Sequence, residues 1–280
     1  MNNFELYKLK KSGLANKAIL NVLSYQEKNQ KSLSIRDIAV VSQTKDPVSF
    51  IENYKKIDSK ELRKEFLKFP SFSILDSIYP ESLKQIYNPP VLLFYQGNLD
   101  ILELPKIAVV GSRDCSQEGT KVLEKIIKEL GNQYIIVSGL ARGIDTSAHM
   151  SSLKFGGSTI AVIGNGLDYF YPKENKVLQN YLSKNHLVLS EYGPNQSPLK
   201  FHFPERNRII AGLSKGILII EAKLRSGSLI TCERGLEEGR DIFAVPGSTL
   251  SGYSEGCHQL IKEGAYCVTS GQDILLHYQC

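Results

Sequence analysis

Three glycine-rich turns in the middle of the chain carry residues suited to binding phosphate. Each turn follows a short apolar run, in the segments KIAVVGSR, YIIVSGLARGID and STIAVIGNGLD. Glycine lets backbone N–H groups approach an anion closely, and helix N-termini attract negative charge. Arg113 and Arg142 lie in the first two turns, and a guanidinium group binds a phosphate through two parallel hydrogen bonds. The pattern predicts a site for several phosphates.

Two later segments add cations to this pattern. Lys173 follows the aromatic run 169–171, and aromatic rings beside a lysine suit stacking on nucleic-acid bases as well as plain cover for a sheet edge. Arg206 and Asn207 stand in the first turn of a predicted helix. A cation at that position opposes the helix dipole, which indicates that a negative group binds nearby. Arg208 lies on the opposite side of the helix from Arg206, which leaves one of the two free for a structural role.

Signatures of common nucleotide-binding and hydrolytic enzymes are missing from the sequence. There is no GxxxxGK[ST] phosphate loop, and the GNG turn lacks the third glycine of a dinucleotide fingerprint. Residues 212–216 match GxSxG, but they fall between a predicted helix and a strand, the reverse of the strand-to-helix elbow that a nucleophile needs. HExxH and cysteines at metal-binding spacing are also absent. We therefore predict no catalytic residue, no metal and no cofactor.

The apolar runs alternate with helix-like sequence from residue 105 to residue 280, which predicts a doubly wound, mainly parallel α/β sheet. Ser116 and Thr146 are predicted to cap the helices after the first two strands. Residues 1–65 predict a small helical domain, and residues 66–104 predict a proline-rich connector that packs on the sheet, with PPVLLFYQG as a candidate edge strand. The predicted strands lie near 106–111, 134–138, 158–163, 186–190, 216–221, 241–245 and 265–269.

The composition is that of an ordinary globular protein. The 280 residues are 42% hydrophobic and 22% charged, with a net charge of +5. This charge fits a solvated surface as well as nucleic-acid binding, so it does not decide between them. The N-terminus lacks the apolar region of a signal peptide, no apolar stretch is long enough to span a bilayer, and the five cysteines form no pattern. We expect a cytoplasmic protein with free thiols and no membrane insertion.

The motifs together resemble one protein family. In order along residues 70–280 they are GSR, SGLARGIDTSAH, GNGLDYFYPKEN, SEYGP, FHFPERNRIIAGLS, EAKLRSGSLITCERGLEEGR, FAVPG and GCHQLIKEGA. This ordered set is similar to the DNA-processing DprA (Smf) family, and the N-terminal part resembles the streptococcal-type members, which carry a SAM-like helical domain. The resemblance implies an extended Rossmann-like domain that binds single-stranded DNA in natural transformation, protects incoming strands and loads the RecA recombinase onto them.

The resemblance also implies which residues act. Family members form homodimers through the C-terminal part of the Rossmann-like domain, and helix 254–263 with Leu260 and Ile261 is the candidate contact. Such binding performs no chemistry, so the resemblance implies a protein that is not an enzyme. The implied DNA-contacting residues are Ser112, Arg113, Lys173, Arg206 and Asn207, with Gly139, Arg142, Gly164 and Gly166 lining the same pocket.

An enzyme class shares part of the pattern. Nucleoside-monophosphate phosphoribohydrolases of the lysine-decarboxylase-like (LOG) group have the same type of Rossmann fold, with a glycine-rich turn followed by threonine and glutamate. The segment 226–233, SGSLITCE, is loosely similar, and hydroxyl and N–H groups at such a helix start form a further anion site. Under this alternative, Glu233 would act in cleaving the N-glycosidic bond of a nucleoside monophosphate.

Overall fold

Short runs of isoleucine, valine, leucine and alanine form the centre of a nine-stranded sheet within residues 1–279, the residues that the computed structural model describes. These central strands are buried along their whole length, as expected for parallel strands with helices on both faces. The strand positions predicted for residues 106–269 are confirmed to within two residues at each end. The strands are β1 (Ser71–Ser73), β2 (Leu92–Gly97), β3 (Lys106–Gly111), β4 (Ile135–Ser138), β5 (Thr159–Ile163), β6 (Leu187–Ser190), β7 (Gly216–Ile220), β8 (Asp241–Ala244) and β9 (Tyr266–Cys267).

The strand order places a topological switch point in the middle of the sheet. The order is β1-β2-β6-β5-β4-β3-β7-β8-β9, and the strands from β6 to β9 in this order run parallel. The chain builds outward from β3 to β6 and then returns to the other side of β3 to place β7, β8 and β9. Ligands of such folds bind outside the carboxyl ends of the strands where the order reverses. The doubly wound, mainly parallel sheet is confirmed, and its switch point lies between β3 and β7.

Helices form the N-terminal domain and cover the sheet. Among the described residues, no helix is both long and apolar enough to cross a membrane. The helical domain contains α1 (Asn3–Lys11), α2 (Asn16–Asn29), α3 (Ile35–Val41), α4 (Pro47–Lys56) and α5 (Ser59–Phe66). The remaining helices are α6 (Glu81–Lys84), α7 (Gln117–Leu130), α8 (Ile144–Lys154), α9 (Lys176–Asn185), α10 (His202–Leu213), α11 (Gly227–Glu237), α12 (Glu255–Lys262) and α13 (Gly271–His277).

Three local predictions are wrong. Helix α10 begins at His202, so Arg206 and Asn207 lie in its second turn and not in its first. Strand β2, from the segment PPVLLFYQG, pairs with β6 but is not an edge strand, because β1 pairs with its other side. Helix α8 begins at Ile144 with Gly143 at its N-cap position, not Thr146, because Gly143 adopts a φ of +74° and turns the chain into the helix earlier. Ser116 does cap α7 as predicted, since its hydroxyl oxygen accepts a hydrogen bond from the N–H of Gly119 at 2.9 Å.

A buried carboxylate joins the helical domain to the sheet. Glu191 follows β6 directly and is 8% exposed. Its Oε1 accepts hydrogen bonds from Lys10 Nζ at 3.0 Å and from Asn16 Nδ2 at 2.6 Å, and Arg208 of α10 donates to its Oε2. Burial alone would raise the pKa of Glu191, but Lys10, Arg208 and the Asn16 amide lower it to about 2. The carboxylate is therefore ionised throughout the physiological pH range.

We expect Glu191→Gln to destabilise the protein by about 3–5 kcal/mol at pH 7, because it leaves the charges of Lys10 and Arg208 uncompensated in a buried site. The folded-state pKa lies below the ordinary value of 4.5. The carboxylate therefore stabilises the fold fully above that value, and this stabilisation is lost as the pH falls from 4.5 through 2. Urea unfolding should show the difference between wild type and variant shrinking by about 2 kcal/mol at pH 3. A difference independent of pH would contradict the ion pairing.

Candidate nucleic-acid interface

A cavity of about 600 Å³ opens at the switch point between β3 and β7. Its walls come from the turn after β3, the first half of α10 and the start of α11. Four of the lining side chains are cationic and one is a carboxylate, so the cavity favours an anionic guest. The polar residues that line it are Ser112, Arg113, Asp145, Lys200, Arg206, Asn207, Lys223, Ser226, Ser228 and Thr231.

A smaller recess continues the cavity toward the turn after β4. Gly139 and Arg142 line this recess. The structure thus brings the first two glycine-rich turns and α10 to one place, although they are far apart in the sequence. Six of the nine predicted contact residues line one or both spaces. The residues that line both spaces are Arg113, Ala141, Tyr171, Phe203 and Arg206.

Arg206 forms the floor of the site. The residue is 4% exposed, its Nη1 donates to the carbonyl oxygen of Val162, and its Nε has no hydrogen-bond partner among the described residues. Burial lowers the pKa of Arg206 to about 10 and the nearby Asp145 carboxylate opposes this fall, so the guanidinium stays charged near neutral pH. An unused donor on a buried charge is unfavourable until a ligand pairs with it. Arg206 is therefore suited to binding an anion.

The turn after β4 is held in shape on both sides. The Asp145 carboxylate accepts hydrogen bonds from the N–H groups of Gly139 and Ala141 at 3.1 and 3.3 Å. The side-chain amide of Asn175 donates to the carbonyl oxygen of Leu140 at 2.9 Å. Leu140 is fully buried with a φ of +57°, which a non-glycine residue keeps only where its surroundings enforce it. The turn is therefore preorganised before a ligand binds.

Two buried titratable groups lie behind this turn. Burial raises the pKa of Asp145, although Arg206 and two backbone amides oppose the rise. Burial and the charge of Arg206 lower the pKa of His149 to about 3, and His149 Nδ1 lies 2.7 Å from Thr159 Oγ1. His149 does not line the cavity, and it is neutral near pH 7. It is therefore badly placed to act as a general base. No group of acidic, histidine and cysteine side chains within residues 1–279 could hold a metal ion.

Two glycines allow the turns to approach each other. A Cβ on Gly143 would lie 2.2 Å from the carbonyl oxygen of Ser112, and a Cβ on Gly139 would lie 2.1 Å from Arg206 Nη1. Both distances are well inside van der Waals contact. A side chain at either position would push the turn after β4 away from the rest of the site.

An aromatic pair forms one wall of the cavity. The ring centroids of Tyr171 and Phe203 lie 5.2 Å apart, and Tyr171 is 44% exposed. Lys173 follows two residues later and is exposed, in a turn outside the cavity lining. Because the rings line the cavity, they do more than cover a sheet edge. An aromatic surface beside cations is the combination that binds the bases and backbone of single-stranded nucleic acid.

Gly164 and Gly166 lie behind this wall and do not line the cavity that they were expected to line. A Cβ on Gly164 would lie 3.0 Å from the ring of Phe203. The N–H of Gly166 donates to the carbonyl oxygen of Gln196 at 2.8 Å. The two glycines therefore let the turn after β5 pack closely against the elements that form the wall.

Two lysines of the cavity were missed by sequence reasoning. Lys200 precedes α10 and Lys223 follows β7, and both are exposed. Neither stands in a glycine-rich turn, so no local motif marks them. Lys223 becomes predictable only once β7 is known to lie beside β3, because the loop after β7 then borders the switch point.

A carboxylate of the chain itself occupies the N-terminus of α7. Glu221 follows β7 with a φ of +49°, and its carboxylate accepts hydrogen bonds from the N–H of Ser116, at 2.7 Å, and from the Ser116 hydroxyl. Gly119 makes room for it, since a Cβ there would lie 2.4 Å from the Glu221 carboxyl carbon. Rossmann folds bind a pyrophosphate at the N-terminus of the helix in their first βα unit. Here Glu221 takes that place.

Three other predicted residues lie away from the cavity. Glu233, the candidate catalytic residue of the enzyme alternative, is exposed on α11 and does not line the cavity. Leu260 is 7% exposed and packs into the sheet core, so it presents little surface to a second copy of the chain. Ile261 packs against the same core but is only partly buried.

The sequence and structural comparisons agree on one family. Residues 71–279 match the sequence profile described as DNA recombination-mediator protein A, and residues 1–62 match that of the DNA processing protein A sterile alpha motif domain. The chain is 62% identical over 279 residues to the DNA processing protein DprA of Streptococcus pneumoniae, covering 100% of this chain and 99% of that protein. The chain belongs to the DprA family.

Other DprA proteins show the same relationship. The X-ray structure of DprA from Streptococcus pneumoniae superposes with a TM-score of 0.97 at 63% identity, covering 99% of this chain and 98% of that one. A DprA structure from Helicobacter pylori, described by its unique single-stranded DNA binding mode, gives a TM-score of 0.67 at 29% identity and covers 76% of this chain and 97% of that one. DprA of Bacillus subtilis is 46% identical over 198 residues, covering 70% and 67%. The family predicted from the motifs is confirmed.

Gly143→Ala should destabilise this DprA more than Gly131→Ala does. Both glycines have a positive φ, but a Cβ on Gly131 would meet nothing within 4 Å, whereas a Cβ on Gly143 would strike the turn after β3. Both glycines combine a positive φ with a strongly negative ψ, a conformation that costs a residue with a side chain about 1–3 kcal/mol. Urea unfolding of the two variants isolates the additional contribution of the contact between the turns. Equal losses of stability would mean that the turns do not depend on each other.

Proposed function

We propose that this DprA binds single-stranded DNA in the cavity at the switch point and performs no chemistry on it. The observation that carries the proposal is the cationic lining of the cavity, where the buried Arg206 lies beside Arg113 and two lysines and has no partner for its Nε among the described residues. The aromatic wall of Tyr171 and Phe203 supports an unpaired strand as ligand, because bases stack on such rings only when they are unpaired. The described binding mode of the Helicobacter pylori relative also supports it.

The bound strand is the substrate of a second protein. We propose that this DprA protects single strands that enter the cytoplasm in natural transformation and loads the RecA recombinase onto them. The family description as a recombination mediator supports this role. A site that binds phosphates and stacks on the faces of bases can hold a strand of any sequence. A mediator of recombination requires this property.

Arg113→Ala and Lys173→Ala should each weaken the binding of a homopolymeric thymidine strand, by about tenfold or more, because each removes a charged hydrogen bond to a phosphate. The logarithm of the wild-type affinity should fall linearly with the logarithm of the salt concentration. Each substitution should make that slope shallower by about 0.7. Fluorescence anisotropy titrations at several salt concentrations measure both quantities.

Lys128→Ala is the matched control, since it also removes one positive charge but from an exposed position in the last turn of α7, away from the carboxyl ends of the strands. The strand affinity of Lys128→Ala and the slope of its salt dependence should equal those of the wild type. If Arg113→Ala and Lys173→Ala behave like this control, the cavity is not the strand site.

We propose that two copies of the chain associate through the region of α12. Strand β9 is the last strand of the sheet and leaves one row of backbone groups unpaired, which favours contact with another chain. Tyr266 of β9 is 48% exposed, and Ile261 of α12 is partly buried. A dimer would place two cavities on one strand and raise its overall affinity.

Ile261→Glu should convert this dimer into a monomer, because the carboxylate would lose its water at an apolar interface. Sedimentation velocity of wild type and variant at equal concentration tests this. Val40→Glu serves as control, since Val40 is 76% exposed on the helical domain, outside the proposed contact. A dimer that survives Ile261→Glu would exclude this part of α12 from the interface.

A further inference from the structure

Helix α10 is attached to the rest of the molecule by arginines on opposite sides. Arg206 faces the cavity and donates to the carbonyl oxygen of Val162, at the end of β5. Two positions later, Arg208 faces away from the cavity and binds Glu191. With 100° of rotation per residue, the two side chains leave the helix nearly opposite each other. Together with the core packing of Ile209 and Ile210, the ion pair of Arg208 restrains the rotation of α10 about its own axis, and with it the position of Arg206.

The helical domain contacts the same carboxylate, Glu191, that pairs with Arg208. Lys10, at the end of α1, and Asn16, at the start of α2, both donate to Oε1 of Glu191, while Arg208 donates to Oε2. Asn16 Oδ1 also accepts a hydrogen bond from Lys10 Nζ at 3.3 Å. The side chains of Lys10, Glu191 and Arg208 are 22%, 7% and 11% exposed. These groups form a largely buried network across the boundary between the domains.

A second path runs from the helical domain to the turn after β5. The ring of Tyr7 packs on Phe94 with centroids 5.2 Å apart, and its hydroxyl oxygen would lie 2.2 Å from a Cβ on Gly193. The loop that contains Gly193 continues to Gln196, whose carbonyl oxygen accepts the hydrogen bond from Gly166. That turn supports the aromatic wall of the cavity. The helical domain thus contacts both the loop behind the wall and the helix that carries the floor.

We propose that the helical domain positions the strand site, with Lys10 and Asn16 acting through Glu191 and Arg208 as positioning residues that never touch DNA. The inference rests on the proposed strand binding in the cavity. It gives this domain a task inside the same chain, in addition to whatever its outer surface binds. Loss of the network would remove one restraint on α10, so the Arg206 guanidinium would be less well preorganised for an anion.

Lys10→Met tests the proposal, and Lys17→Met is its matched control. Lys10 lines a cavity of about 290 Å³ at the domain boundary, and Lys17 does not. Lys17 is exposed on α2, in the same helical domain. Both substitutions change the net charge equally. We expect Lys10→Met to weaken strand binding by about twofold to thirtyfold, in the range of mutations that act at a distance from a ligand, and Lys17→Met to leave it unchanged.

The salt dependence separates positioning from direct contact. A lysine that neutralises a phosphate makes the slope shallower by about 0.7 when it is removed. Lys10→Met should weaken binding at every salt concentration with the wild-type slope, and Lys10→Arg should restore the affinity because it can still pair with Glu191. A shallower slope for Lys10→Met would overturn the proposal, since Lys10 would then bind DNA itself. Wild-type affinity in Lys10→Met would overturn it equally.

Thermal unfolding of each variant distinguishes a loss of strand affinity from a loss of folding. Titrations are run at a temperature at which the variant is folded, and Asn16→Ala replaces Lys10→Met if the latter does not fold. Asn16→Ala leaves the pairs of Glu191 with Lys10 and Arg208 in place, so its loss of affinity should be measurable but smaller. Asn16→Ala with wild-type affinity would then overturn the proposal. Failure of the wild type itself to bind a strand in a salt-dependent way would refute the proposed function, a result distinct from any of these.

Discussion

Buried charge on α10 is the constraint on which the rest of this structure depends. A guanidinium group taken out of water must be paired and hydrogen-bonded. Arg208 obtains its partner inside the chain, from Glu191, and that pairing joins two domains. Arg206 donates a hydrogen bond to one carbonyl oxygen and is stabilised by the negative charge of Asp145. Its Nε has no partner among the described residues. Arg208 lies outside the cavity and is structural, whereas Arg206 lines the cavity and is available to a ligand there.

Local sequence patterns predicted the strands and the turn at Ser112 and Arg113, because apolar runs and glycine turns act over a few residues. The start of α10 was predicted too late in the chain, because no capping side chain marks the helix start at His202. The helix start at Gly143 escaped prediction because it depends on a backbone conformation, and the place of β2 escaped because it depends on pairing with β1. Lys223 could not be assigned before the strand order was known. The sequence showed that Arg206 and Arg208 face opposite ways, but only the packing of the helical domain showed which one is structural.

The side chains around the cavity suit the binding of an anion. The cavity lining carries four cations and the Asp145 carboxylate, and the histidine behind the turn after β4 is buried, neutral near pH 7 and outside the cavity. The turn after β4 loses little conformational entropy when a ligand binds, because Asp145 and Asn175 already hold its amide and carbonyl groups in place. The Rossmann topology thus fixes the direction of N–H groups and cations at the carboxyl ends of the central strands.

Glu221 competes with small anions for the N-terminus of α7. Its carboxylate is tethered at the N-terminus of α7, so its effective concentration there is at least about millimolar for a short flexible tether and higher for one fixed by a buried backbone. Free nucleotides and inorganic phosphate must displace this internal competitor before they can use the helix end. The cavity beside it is not lined by Glu221, so an anion that binds there meets no such competitor.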